Sequence, residues 1–225
     1  MTRLPKPPMI ECRYLGKRYA DGQNALSEIN LTIERGELVF LTGHSGAGKS
    51  TLLRLIALIE RPSRGSLKVN GYELAKLPDL SIPRYRRNLG MIFQDHCLLP
   101  DRTVFDNVAL PLQIAGAEPR LIARRTRAAL DKVGLLRKEK AYPATLSAGQ
   151  QQRVGIARAI VNRPAILLAD EPTGNLDPKL SEEIMRLFLD FNRVGVTVLV
   201  ASHDQALVHR FGERVIELKQ GRLMA

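Results

Sequence analysis

Residues 38–42 (LVFLT) run directly into GHSGAGKS, and that into a helical stretch that continues as TLLRLIALI, with no linker between strand, turn and helix. An apolar strand feeding an apolar helix through a glycine-rich turn fits a sheet covered by helices, because neither element has a face to leave in water. Residues 43–50 match G-x-x-x-x-G-K-[ST] at the strand-to-helix junction where a phosphate-binding loop belongs. In such a loop Gly43, His44, Ser45, Gly46, Ala47 and Gly48 turn backbone N–H groups inward, and the helix start at Lys49, Ser50 and Thr51 adds positive potential. Lys49 then reaches the outer phosphates and Ser50 ligates Mg²⁺. A turn that only caps a helix is the bland alternative, and the flanking strand and helix argue against it.

The rest of the chain repeats the alternation. Residues 9–14 and 28–33 alternate apolar with polar, as half-buried strands do, and a further strand is predicted at 89–93. Residues 49–59 read as a buried helix broken by Pro62 and Gly65, and Asn70-Gly71 reads as a hairpin turn. Residues 104–133 read as helices punctuated by Pro111, Gly116 and Pro119, with Arg120, Arg124, Arg125 and Arg127 making this segment basic. Strands at 165–169, 196–201 and 214–218 then alternate with helices at 180–193 and 205–211, which indicates an α/β fold with a parallel sheet.

With 225 residues and 44% apolar composition, one globular unit with a substantial core is expected, preceded by a Pro-rich disordered tail over residues 1–8. No stretch approaches the roughly 18 apolar residues that span a bilayer, and the first eight residues lack a secretory apolar run, so a cytosolic location is expected. Cys12 and Cys97 are far apart and read as reduced thiols. Histidines 44, 96 and 209 show no metal-ligand spacing. A formal charge of +11 favours an anionic partner: nucleotide, lipid headgroup or nucleic acid.

Two further motifs carry chemistry. ILLADE is an apolar strand ending in Asp170 and Glu171, which places both carboxylates at the carboxyl edge of the sheet beside the phosphate loop. Asp170 is expected to hold Mg²⁺ through water, and Glu171 to orient and deprotonate an attacking water. Alone, such a strand end is more often simply solvated; joined to the loop it reads as catalytic. The second motif is LSAGQ, where Ser147 and Gln150 have the spacing of a capping box. A capped helix start with free N–H groups is also an anion site, able to face a nucleotide held by another subunit.

The order of these elements, with Gln94 after a strand, LSAGQQQR, ILLADEP, Asn175-Leu176-Asp177 and His203 after a last strand, resembles the ABC ATPase family over nearly the whole chain. The resemblance implies a P-loop NTPase with a RecA-like parallel sheet core and a small antiparallel β subdomain, from residues 9–93 and 151–225. A helical subdomain over residues 94–150 would carry the signature motif. It implies two subunits sandwiching two ATP molecules, with Ser147, Ala148, Gly149 and Gln150 facing the partner's phosphate loop and Asp177 beside them. It also implies that Tyr19 stacks on adenine, that His203 senses the γ-phosphate, and that Gln94 senses Mg²⁺ and the attacking water and links to a membrane partner. Ala148 replaces the usual glycine; a contact that required positive φ there would be strained.

Longer stretches, LTGHSGAGKSTLLRLI, GMIFQDHCLLPDRTVFDNVALPL, LADEPTGNLD and FNRVGVTVLVASHD, are similar to the cell-division branch of that family. That branch implies an integral membrane partner at the cytoplasmic face of the cell membrane, ATP-driven control of cell-wall cleavage, and a homodimer in the ATP-bound state. Lipoprotein-releasing and macrolide-exporter ATPases share the TGNLD stretch, but Asp95-His96 and Asp101-Arg102-Thr103 lean away from them. A nucleic-acid-linked ATPase would suit the charge but usually carries two cassettes or long insertions. A non-hydrolysing module is disfavoured by intact Lys49, Asp170, Glu171 and His203.

Overall fold

The computed structural model describes residues 7–174 and 176–224. Most of the expected tail, residues 1–6, and Asn175 of the Asn-Leu-Asp motif lie outside the described residues.

The chain begins with an antiparallel pair, β1 (Ile10–Arg18) and β2 (Asn24–Ile33). Both outrun their expected bounds. The pairing jumps from Cys12–Leu31 to Leu15–Ile29, with Tyr14 and Glu28 at positive φ, so the apolar alternation slips where the strands continue. Next come β3 (Leu38–Thr42), the phosphate loop and α1 (Lys49–Ile56). This helix stops short of residue 59 because Leu58, at φ 52°, takes the left-handed position that ends many helices. Gly65, expected to break a helix, lies instead in β4 (Arg64–Val69), which turns through Asn70-Gly71 into β5 (Tyr72–Glu73). Asn70 and Gly71, at φ 48° and 83°, have the two positive φ values that a tight hairpin needs.

A short helix α2 (Ile82–Arg86) leads to β6 (Leu89–Ile92), and then to α3 (Val104–Ile114), α4 (Pro119–Lys132) and α5 (Ala148–Ile160). Pro111 does not interrupt α3; near the helix's end it removes one amide donor and leaves the rest of the ladder intact. The chain finishes with β7 (Ile166–Asp170), α6 (Pro178–Arg193), β8 (Thr197–Ala201), α7 (Gln205–Phe211), β9 (Arg214–Lys219) and β10 (Arg222–Leu223).

The strands form two sheets, β2-β1-β4-β5 and β10-β9-β3-β8-β7-β6. In the second sheet every pairing is parallel except β10 with β9. Both faces of β3, β7 and β8 are buried, and the period-two alternation divides them between two cores. Val39, Leu41, Leu168, Leu199 and Ala201 face α1 and the antiparallel sheet. Leu38, Phe40, Leu167, Ala169, Val198 and Val200 face the core shared with α3, α5 and α6. Cys12 lies in the first core, where burial pushes its thiol up to about 12.

One polar residue inside the second region shapes the chain after β6. Asn107 of α3 is fully buried; its Oδ1 accepts the Leu99 N–H (2.8 Å), and its Nδ2 donates toward the carbonyls of Leu99, Arg102 and Thr103 (3.0, 3.2 and 3.0 Å). A single side chain thereby reaches four backbone groups of the loop that follows Gln94, its two amide hydrogens shared among three carbonyls.

Candidate functional site

Parallel strands deliver their carboxyl ends to one edge of the sheet, and the sequence places chemistry there three times: the glycine loop after β3, Glu171 after β7 and His203 after β8. A cleft of about 1050 Å³ opens at this edge. It is lined by all nine loop residues from Gly43 to Thr51 together with Tyr19, Gln94, Glu171 and His203.

The loop's path depends on glycine at two points. Gly43, at φ 135°, lies against the Leu218 carbonyl, and Gly48, at φ 108°, lies against the Ala25 carbonyl and Leu26; a side chain would collide at either place. Gly48 is also the N-cap of α1 and supplies no side-chain cap, so the first N–H groups of this helix remain available to an anion. Lys49 is held by the loop itself, its Nζ donating to the carbonyls of Gly43 (2.6 Å) and His44 (3.3 Å), and it lies 3.5 Å from Glu171 Oε1. The other oxygen, Glu171 Oε2, is 2.9 Å from His203 Nδ1. With its proton on Nδ1, the imidazole donates to the carboxylate and leaves Nε2 free. Lys49, Glu171 and His203 thus form a continuous charge-assisted row across the cleft.

Glu171 sits at φ 47°, a conformation that costs a non-glycine residue on the order of 1–3 kcal/mol. Its backbone is pinned on both sides: its N–H donates to the Ala201 carbonyl (3.0 Å), and its carbonyl accepts from Gly174 (3.2 Å). Beside it, the buried Asp170 accepts a hydrogen bond from the Ser50 hydroxyl at 2.9 Å. Burial raises the Asp170 pKa above the ordinary carboxylate value, while the Ser50 hydrogen bond opposes the rise. A hydroxyl and a carboxylate side by side make a hard-oxygen donor pair of the kind Mg²⁺ takes.

At the cleft's far end the Tyr19 hydroxyl is 3.2 Å from both Thr51 Oγ1 and Glu60 Oε1, with Lys17 Nζ 5.2 Å from the ring centroid. Gln23, Ala25, Gln205, Val215, Glu217 and Met224 also line the cleft. None of these was singled out by sequence, since each is a common residue in an unremarked strand, loop or helix.

The structure does not bring the remaining expected residues into this cleft. Ser147, Ala148, Gly149, Gln150 and Asp177 are absent from its lining. Ser147 instead caps α5 in a reciprocal box with Gln150, the two hydrogen bonds measuring 3.4 and 3.2 Å. Ala148 is the first residue of α5 and has no positive φ, so its methyl meets no left-handed strain. Gly149 packs closely on the Leu180 side chain of α6, which would have to shift to make room for a Cβ. Asp177 caps α6, accepting from the Leu180 N–H at 3.1 Å.

A buried residue outside the expected set joins the two regions. Gln152, in the second turn of α5, donates from Nε2 to the carbonyl of Pro172 at 2.7 Å, one residue beyond Glu171. Its place in a Gln-Gln-Gln run gave no sign of that contact.

A sequence profile described as ABC transporter matches residues 26–174. The cell division ATP-binding protein FtsE of Escherichia coli (strain K12) is 59% identical over 215 residues, spanning 96% of this chain and 97% of that protein. The FtsE protein of Bacillus subtilis (strain 168) is 45% identical, spanning 95% and 93%. Among solved structures, a dimeric post-hydrolysis state of the ATP-binding cassette MJ0796 bound to ADP and Pi superposes with a TM-score of 0.89 at 38% identity, covering 96% and 97% of the two chains.

Proposed function

The chain belongs to the ABC transporter family and hydrolyses ATP, and from that premise we propose that it is the ATPase subunit of an FtsEX-like complex. In this reading two copies close on two ATP molecules beneath an FtsX-like integral membrane protein. Closure transmits conformational change across the inner membrane to regulate cell-wall hydrolysis at division. Identity of 59% to a cell-division protein along almost the entire chain supports this over a lipoprotein-releasing or macrolide-exporting role. Among the described residues no helix is long and apolar enough to cross a membrane, so attachment to the membrane falls to the partner.

The carrying observation is the Lys49–Glu171–His203 row across the cleft. The backbone donors of residues 43–48 and the open end of α1 hold the phosphates, and Lys49 neutralises charge on the outer ones. Glu171 orients water and takes its proton as the water oxygen bonds to the γ-phosphorus and the bond to ADP breaks. His203 holds the Glu171 carboxylate from one side and presents Nε2 toward the γ-phosphate. Ser50, Gln94 and Asp170 would hold Mg²⁺, which supplies charge neutralisation at the phosphates when bound. Tyr19 supplies a stacking face for adenine with little reading of base edges. Residues 147–150 and Asp177, lying outside this cleft, serve the nucleotide of the second copy.

The membrane partner docks on the surface following Gln94. Val104, Val108 and Leu112 are buried in the second core, which leaves Leu99 and Arg102 exposed for contact. The test of the whole reading pairs binding with turnover. Lys49→Ala loses ATP affinity, whereas Glu171→Gln retains ATP, loses phosphate release and associates into pairs with MgATP by light scattering. Full turnover by Glu171→Gln removes Glu171 as the base, and no ATP-dependent closure with the partner's cytoplasmic part present removes the two-copy arrangement.

A further inference from the structure

Between β7 and α6 the chain crosses from Glu171 to Asp177, and α5 is fastened at two places, one on this crossing and one at the start of α6. At one, Gln152 Nε2 donates to the Pro172 carbonyl at 2.7 Å within a site where Gln152 is only 1% exposed. At the other, the bare α-carbon of Gly149 packs closely on the Leu180 side chain. The first fastening is adjacent to a strained residue. Glu171 holds φ 47° only because its neighbours fix it, and the Pro172 carbonyl belongs to the next peptide unit. A buried hydrogen bond that close to a strained backbone restricts the direction in which the Glu171 side chain leaves the chain.

The helix that supplies Gln152 begins at Ser147, so the anion-facing start of α5 and the donor to Pro172 lie about one turn and a half apart on one rigid element. We propose that Gln152 is a positioning residue that fixes the orientation of Glu171 and ties it to the signature end of α5. A nucleotide of the second copy seated on residues 147–150 then sets the geometry of this subunit's own catalytic carboxylate. The link rests on the two-copy reading above; the positioning of Glu171 does not.

The test uses the full-length chain with its membrane partner and two substitutions: Gln152→Met, which keeps length and packing but removes the donor, and Gln152→Glu, which keeps shape and presents an acceptor to the carbonyl. Both are expected to lower kcat about tenfold with KM for ATP within about twofold of wild type, the pattern of a lost transition-state contact. In a Glu171→Gln background, Gln152→Met is expected to leave MgATP-driven association unchanged. Wild-type kcat in both variants overturns the proposal. So does a loss of kcat accompanied by parallel losses of KM, association and melting temperature, because that pattern belongs to packing alone.

Combining Gln152→Met with Ser147→Ala addresses the link. Losses in kcat that fall well short of multiplying place both residues on one route to Glu171, whereas fully multiplicative losses overturn the link. If the Glu171→Gln parent itself fails to associate with MgATP, the two-copy reading falls and the link falls with it, while the kcat and KM results still decide the positioning role.

Discussion

The two ends of the molecule that bear on phosphate differ in how far they are finished. At the phosphate loop every charge has a counterpart within the chain: Lys49 against Glu171 and two carbonyls, Glu171 against His203, Asp170 against Ser50. At the start of α5 the residues satisfy one another through a capping box, are exposed apart from Gly149 and Gln150, and do not line the phosphate-loop cleft. On the function proposed above, this chain carries one set of catalytic groups and one detached set of binding groups. In that reading two copies have to meet before either set is used fully.

The comparison breaks most visibly at Glu171. Glu171→Gln is expected to cut phosphate release by about a thousandfold, since it removes the general base proposed above, while ATP stays bound in a filter-retention assay. Next, Ser147→Arg at the detached end is expected to lower kcat about a hundredfold in the assembled complex yet leave single-subunit ATP affinity within about threefold. Loss of affinity equal to that of Lys49→Ala would show that the two ends are not separate.

At Asp170 the stability effect is smaller and of opposite sign. Its raised folded-state pKa means that ionisation is disfavoured by burial, so the group favours the fold below its unfolded value and that contribution is lost as pH rises through the folded value. At neutral pH the ionised side chain is therefore a liability, and Asp170→Asn is expected to raise the melting temperature without nucleotide while abolishing Mg²⁺-dependent turnover. A calorimetric scan showing a lower melting temperature contradicts the burial argument. The smallest intrinsic effect belongs to the exposed loop: Leu99→Glu and Arg102→Glu are expected to leave ATP binding within about twofold and to reduce co-sedimentation with partner-containing membranes. Unchanged sedimentation of both moves the docking surface elsewhere.

What was legible in the sequence was local. The phosphate loop, the strand ending in Asp170-Glu171 and the alternation of strands with helices depend on neighbours within a few residues, so spacing revealed them. The longer β1 and β2 were hidden because bulges at Tyr14 and Glu28 shift the apolar alternation. The end of α1 was hidden because a leucine occupies a position where glycine is the usual signal. Glu171's positive φ, pinned through Ala201, and the Gln152–Pro172 contact, 20 residues apart, come from tertiary geometry that no window of the sequence contains.

Asn107 has a consequence for how such a protein diversifies. It grips the loop after Gln94 by main-chain groups of Leu99, Arg102 and Thr103, leaving the outward side chains of Leu99 and Arg102 without a structural duty in holding the loop's path. The shape of that loop is thereby inherited separately from its surface chemistry. If the membrane partner docks on this loop as proposed, mutation can rewrite the outward residues to suit a new partner while the fold, and the route from partner to cleft, stays as it was.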